Sequence, residues 1–153
     1  FFGKTSLRDV ELPDFESKKH EMDPVVANRA EHVLFENQRT LDALTAFKVN
    51  DVKKISRLMA QSHASMRDLF EITTTEIDYL VEIIGSVIGE RGGVRMTGGG
   101  FGGCVVAFVA NDLVDAVKQV VSDKYENETG LVASIFVSRA ANGVSVTNEL
   151  GEA

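Results

Sequence analysis

The stretch Val94-Arg95-Met96-Thr97-Gly98-Gly99-Gly100-Phe101-Gly102-Gly103-Cys104-Val105-Val106-Ala107-Phe108 sets a glycine cluster between two short apolar, β-branched runs. Glycine loses more backbone entropy on folding than any other residue. Such a cluster therefore needs either positive φ or a close approach of the backbone to another group. Two arrangements ask for this: a tight hairpin packed on a neighbouring backbone, or a loop whose N–H groups wrap an anion. The flanks read as strands over Val94–Thr97 and Cys104–Val109, joined by the glycine loop. We favour the anion-wrapping loop, with Gly102 and Gly103, next to the strand, as its packing glycines.

Upstream of the loop the hydrophobic period is helical. Asp23-Pro24 is a start signal, an N-cap carboxylate before a proline at the first helical position. Val26, Ala30, Val33, Leu34, Leu41 and Leu44 then recur at helical spacing, which predicts an amphipathic helix over residues 24–47. Asn50 is the expected cap of a second helix, with Val52, Ile55, Met59, Ser62, Met66 and Phe70 along one face. Thr73-Thr74-Thr75-Glu76 caps a third helix, buried through Ile77, Leu80, Val81, Ile84 and Val87 and ended by Gly89, Gly92 and Gly93. After the hairpin, Asn111 or Asp112 caps a helix through Val114, Val117, Val120, Val121 and Tyr125, ending at Gly130. Ala133–Ser138 reads as a last strand. Thr5–Val10 and Pro13–His20 read as short helical turns or an irregular entry segment. The order predicts an α+β fold, an antiparallel sheet with helices packed on it, arranged as a ferredoxin-like split βαβ if a further strand lies near the start.

At 153 residues the chain suits one domain with a real core, expected over residues 1–139, followed by a disordered tail over 140–153. The opening Phe1-Phe2-Gly3-Lys4, without an initiator methionine, reads as a start within a longer protein. A net charge of −7 and the absence of any basic run disfavour nucleic acid and anionic membrane surfaces. No apolar stretch is long enough to span a bilayer, and no signal-peptide pattern is present. The single Cys104 excludes an internal disulfide framework and fits a reducing cytoplasm, so the Asn127-Glu128-Thr129 sequon carries little weight. Cys104 is expected at the start of a buried strand, and His20 and His32 at the surface. None of them has metal-ligand spacing. Arg95 faces either an anionic ligand or a strand-edge salt bridge.

Gly98, Gly100 and Gly103 satisfy G-x-G-x-x-G, but a dinucleotide fingerprint must open a helix, and Cys104–Val109 is short, apolar and β-branched. No Gly-Lys-Ser/Thr follows, which excludes a Walker loop. The partner motifs of the protein kinases are also missing. Arg95-Met96-Thr97-Gly98-Gly99-Gly100-Phe101-Gly102-Gly103-Cys104 instead resembles the third signature motif of the GHMP kinases, in the form found in the galactokinase branch. Ser62-His63-Ala64-Ser65-Met66-Arg67-Asp68 with Phe70-Glu71-Ile72-Thr73 is similar to that branch's Ser-His-x-Ser-Leu/Met-Arg-Asp segment. Ser6-Leu7-Arg8-Asp9-Val10 and Met22-Asp23-Pro24 agree with it, and the resemblance runs from residue 1 to about 138.

The resemblance implies the C-terminal domain of a cytoplasmic sugar kinase that transfers the ATP γ-phosphoryl group, with Mg²⁺ bridging phosphates, to the anomeric hydroxyl of α-D-galactose. It implies that Thr97, Gly98, Gly99, Gly100, Phe101 and Gly102 form the loop that closes on the ATP and substrate cleft. His63, Ser65, Arg67 and Asp68 would stand behind it and shape the sugar side, or else form a buried Ser/His network with an Arg67–Asp68 pair at a helix end. The family's sugar-recognition signature, its Pro-x-x-x-Gly-Leu-Ser-Ser-Ser phosphate loop and its catalytic aspartate and arginine have no counterpart in this sequence. Catalytic residues are thus expected in an N-terminal domain that docks on this one, and the chain alone is expected to be inactive. Alternatives are a sugar sensor on the same fold, another GHMP sugar kinase, and a stand-alone domain that pairs through an exposed apolar face on its first helices.

Overall fold

A computed structural model describes residues 1–142 of the chain. Helix α1 spans Leu12–Lys18, α2 Pro24–Lys48, α3 Val52–Ser65, α4 Thr75–Ile88 and α5 Val114–Thr129; strands β1, Gly92–Thr97, and β2, Cys104–Val109, lie between α4 and α5. The two strands pair antiparallel, with Gly92 opposite Val109 and Thr97 opposite Cys104, so the glycine loop is the tip of a hairpin. One face of the hairpin packs on α4 and α5, where Val94, Val105, Ala107 and Val109 meet Ile84, Ile88, Val117 and Val121. Helix α3 crosses the other side, and Met59 fills the space over Gly93. A separate cluster of Val10, Phe15, Ala30 and Leu34 ties the N-terminal segment to α2. Burying a side chain the size of Phe15 stabilises the fold by about 1.5–3 kcal/mol.

Local signals account for most element starts. The Asp23 carboxylate accepts the amide hydrogens of Val25 and Val26 at 3.0 and 3.1 Å, and Pro24 has no N–H to satisfy. Asp23→Ala is therefore expected to destabilise the chain by about 1 kcal/mol in denaturant unfolding, with an unchanged m-value. Thr74 caps α4 through the Ile77 amide. Gly89, at φ 54°, closes the same helix, and Gly130, at φ 72°, closes α5. Among the described residues no helix is long and apolar enough to cross a membrane.

Several expectations are corrected. Asp51, not Asn50, caps α3, accepting from the Lys54 amide at 2.9 Å, while Asn50 takes φ 55° in the turn after α2. Asn111 and Asp112 lie in a 3₁₀ turn, Asn111–Leu113, that feeds α5 without a side-chain cap. Gly92 and Gly93 open β1 and do not end α4. Val26, Leu41 and Leu44 are exposed; α2 is buried at Ala30, His32, Leu34 and Ala46.

The strand expected over Ala133–Ser138 does not form. The chain runs on from Gly130 without a ladder, and Phe136 is 91% exposed. A β-branched run becomes a strand only where a neighbouring edge takes up its backbone groups, and the sheet of the described residues has two strands. The α+β class with an antiparallel sheet and packed helices holds; the split βαβ is not closed by this segment, nor by a strand near the start. From residue 143 on, the expected tail lies outside the described residues.

Candidate functional site

The glycine loop owes its shape to positive φ at Gly98 (100°), Gly100 (87°), Phe101 (58°), Gly102 (119°) and Gly103 (98°). Around Gly98, Gly99 and Gly102 a Cβ would meet nothing within 4 Å, so these residues border open space. Gly100 is different: a Cβ there would lie 2.7 Å from both the Cβ and the backbone oxygen of Ile72. The packing glycine is thus Gly100, not Gly102 or Gly103, because the loop docks on the turn after α3. The Phe101 amide donates to Ile72 O at 2.6 Å, while the Phe101 ring is 78% exposed. The amides of Gly99, Gly100 and Gly102 find no hydrogen-bond partner among the described residues. The hairpin and the open loop are therefore one object, with a docked flank and a free rim.

The segment that receives the loop is the second sequence motif. Helix α3 passes at Ser65 into a π-helical turn, Met66–Phe70, ended by Glu71 in the left-handed conformation at φ 56°. Arg29 of α2 holds this end, donating to Leu69 O and to the Glu71 carboxylate. Wider turns of this kind are rare and recur at functional sites. The turn places Ile72 under Gly100 and swings Arg67 and Asp68 outward. Those two pair with each other at 2.7 and 3.1 Å. Their mutual hydrogen bond raises the Arg67 pKa and lowers that of Asp68. The pair is exposed, as an ion pair at a helix end would be.

His63 and Ser65 are buried. The His63 Nδ1 accepts the Met96 amide hydrogen at 3.3 Å, which puts the ring proton on Nε2. That nitrogen lies 3.2 Å from the Asp78 Oδ1 of α4, without the alignment of a hydrogen bond, and neither atom has another partner among the described residues. Burial lowers the His63 pKa, opposed by the Asp78 charge. Ser65 Oγ is 2.8 Å from Nδ1 of His32, whose ring stacks on Phe70 at 4.4 Å between centroids. His32, expected at the surface, is therefore buried, and desolvation lowers its pKa. Ser62 donates to Glu36 at 2.7 Å, and Glu36 also pairs with Arg39. Arg95 donates to Met96 O at 3.2 Å and to Ser62 Oγ at 3.5 Å and makes no salt bridge among the described residues. Cys104 is exposed, not buried, because its side of β2 is uncovered.

Of the residues singled out in the sequence, Thr97 to Gly103 form the loop, His63 bonds its root at the Met96 amide, and Ser65 is buried in a separate pair with His32. Arg67 and Asp68 pair on the exposed turn, with Arg67 lining the same cavity as His63. Glu36, Arg39, Asp78 and Ile72 were missed as site residues; Ile72 alone had a signal, its place in the second motif. A cavity of about 260 Å³ opens between α3, α4 and β1, lined by His63, Arg67, Glu82 and Gly93, but the glycine loop does not border it. Among the described residues no group of three or more His, Cys, Asp or Glu side chains could hold a metal ion.

The family model of the C-terminal part of the GHMP kinases matches residues 43–127. That span is more than half of the chain and contains both motifs. The structure of Lactococcus lactis galactokinase in complex with galactose is similar at a TM-score of 0.79 and 38% sequence identity. The similarity covers 86% of this chain and 34% of that one, so the chain spans about a third of the galactokinase it matches. With the glycine hairpin seated on the second motif inside the matched span, the chain belongs to the GHMP kinases, as a C-terminal part of that family.

Proposed function

We propose that this chain supplies one wall of the active-site cleft of a cytoplasmic galactokinase. In this reading Thr97, Gly98, Gly99, Gly100, Phe101 and Gly102 close on the phosphates of ATP. The γ-phosphoryl group then passes to the anomeric hydroxyl of α-D-galactose to give galactose 1-phosphate. The observation that carries it is the free rim: loop amides without partners, beside glycines that border open space. Phosphoryl transfer depends on donors already in place around the developing charge, and a side-chain-free rim offers them at no cost in rearrangement. Similarity to a galactokinase solved with galactose supports the choice of sugar. In this proposal Mg²⁺ arrives with the nucleotide, held chiefly by its phosphates.

The base and the main phosphate loop come from a second domain. An apolar stripe, Leu41, Leu44 and Phe47 on α2, continued by Phe108 at 5.8 Å from Phe47, is exposed and supports docking of that kind. Calorimetric titration with Mg-ATP, then galactose, tests the reading, first on the chain alone and then after adding the unmatched N-terminal part of the Lactococcus lactis galactokinase. The expected result is no turnover alone, and nucleotide binding with galactose 1-phosphate formation on mixing. Silence in both cases, with the two parts shown to associate, would leave the loop as a packing hairpin. Steady turnover by the chain alone would overturn the division of labour.

A further inference from the structure

We propose that His63 is a positioning residue that latches the root of the glycine loop in its neutral form and releases it on protonation. In the register of the hairpin the Met96 amide points away from β2, to the outer edge of β1, two residues before Gly98. Met96 is fully buried, so that amide would be an orphan donor if His63 did not accept it. An imidazole can accept there only while Nδ1 carries no proton. Protonation turns the acceptor into a donor facing a donor. It also strengthens the pull of Asp78 on the far side of the ring, 3.2 Å from Nε2. Both effects draw the ring away from Met96.

The groups that face His63 come from every element around it. Asp78 and Glu82 belong to α4, Arg67 and Asp68 to the π-helical turn, and Arg95 to β1, through the neighbouring Ser62; Glu36 of α2 holds Ser62 from behind. Asp78 and Asp68 favour the charged ring, Arg67 opposes it, and burial, the largest influence, also opposes it. The folded chain thus binds its proton at lower pH than the unfolded chain does. Stability contributed by the latch is present above about pH 6.5, the ordinary histidine value, and is lost as pH falls below it. Any effect of acid on nucleotide binding rests on the function proposed above; the latch itself does not.

Amide spectra of the ¹⁵N-labelled chain without nucleotide, taken from about pH 8 to about pH 5, test the latch. The Met96 amide and those of Gly98–Gly103 are expected to move together, with the midpoint of the His63 ring and below the ordinary histidine value. In His63→Asn the side-chain oxygen can stand where Nδ1 stood and does not titrate. The loop amides should then hold still across the range, with Met96 still protected from hydrogen exchange. In His63→Leu, Met96 should exchange at least about tenfold faster at every pH, while Val117 and Val121 of α5 stay protected. Loop amides that ignore the His63 titration, or that still follow pH in His63→Asn, would overturn the proposal. If His63→Leu does not fold, the parent and His63→Asn decide alone.

Discussion

Gly100→Ala is expected to cost about 2–4 kcal/mol of stability, although residue 100 lies in an irregular loop. Two penalties add. At φ 87° an alanine pays the left-handed penalty of roughly 1–2 kcal/mol. Its Cβ must also sit where Ile72 leaves 2.7 Å, against a backbone oxygen and a branched carbon that cannot swing aside. Overpacking of that kind costs about 1–3 kcal/mol, and the smaller unfolded-state entropy returns only part of the sum. The loop provides its own controls. Gly98 and Gly102 take positive φ but border open space, so alanine there should cost about 1–2 kcal/mol. Gly99 has neither constraint, and Gly99→Ala should fall within about 0.5 kcal/mol of the parent. Denaturant unfolding of the four variants should rank them in that order. Equal losses at Gly99 and Gly100 would mean that the loop is not seated on Ile72.

What the sequence revealed of this architecture follows how local each cause is. The start of α2 was legible because Asp23 and Pro24 act within one turn, and the start of α4 because Thr74 caps the Ile77 amide three residues on. The hairpin was legible because its glycines sit between two β-branched runs. Distant partners left no such trace. His32 is buried because Ser65 and Phe70 reach it across the fold, and nothing near residue 32 announces them. The packing role fell to Gly100 rather than Gly102 because Ile72 arrives from another element. Likewise, Ala133–Ser138 has the composition of a strand, but composition supplies no edge for it to pair with.

The largest loss is expected at Gly92, the first residue of β1. Gly92→Ala should remove about 4 kcal/mol or more, a large share of the roughly 5–15 kcal/mol that holds a domain folded. The position has an extended backbone, so conformational strain is not the cause. Space is. A Cβ there would lie 2.0 Å from the Phe108 carbonyl oxygen and 2.8 Å from Cγ2 of Ile88. The first of these atoms belongs to the paired strand, so the methyl group can enter only if β1 and β2 part at their open end, where Gly92 faces Val109. Gly93→Ala is the informative companion. Its Cβ would meet the Met59 side chain, with the sulfur at 2.7 Å and the Cβ at 3.0 Å; the sulfur can turn away and α3 need give only a few tenths of an ångström, at a smaller cost of about 1–3 kcal/mol. If both variants fold, hydrogen exchange should show the amides of β2 opening in Gly92→Ala and holding in Gly93→Ala. The glycine loop, fixed to the other end of the same two strands, should lose its order together with them. Ordered β2 amides in Gly92→Ala, with parent-like stability, would show that the strands are not as close at Phe108 as this register requires.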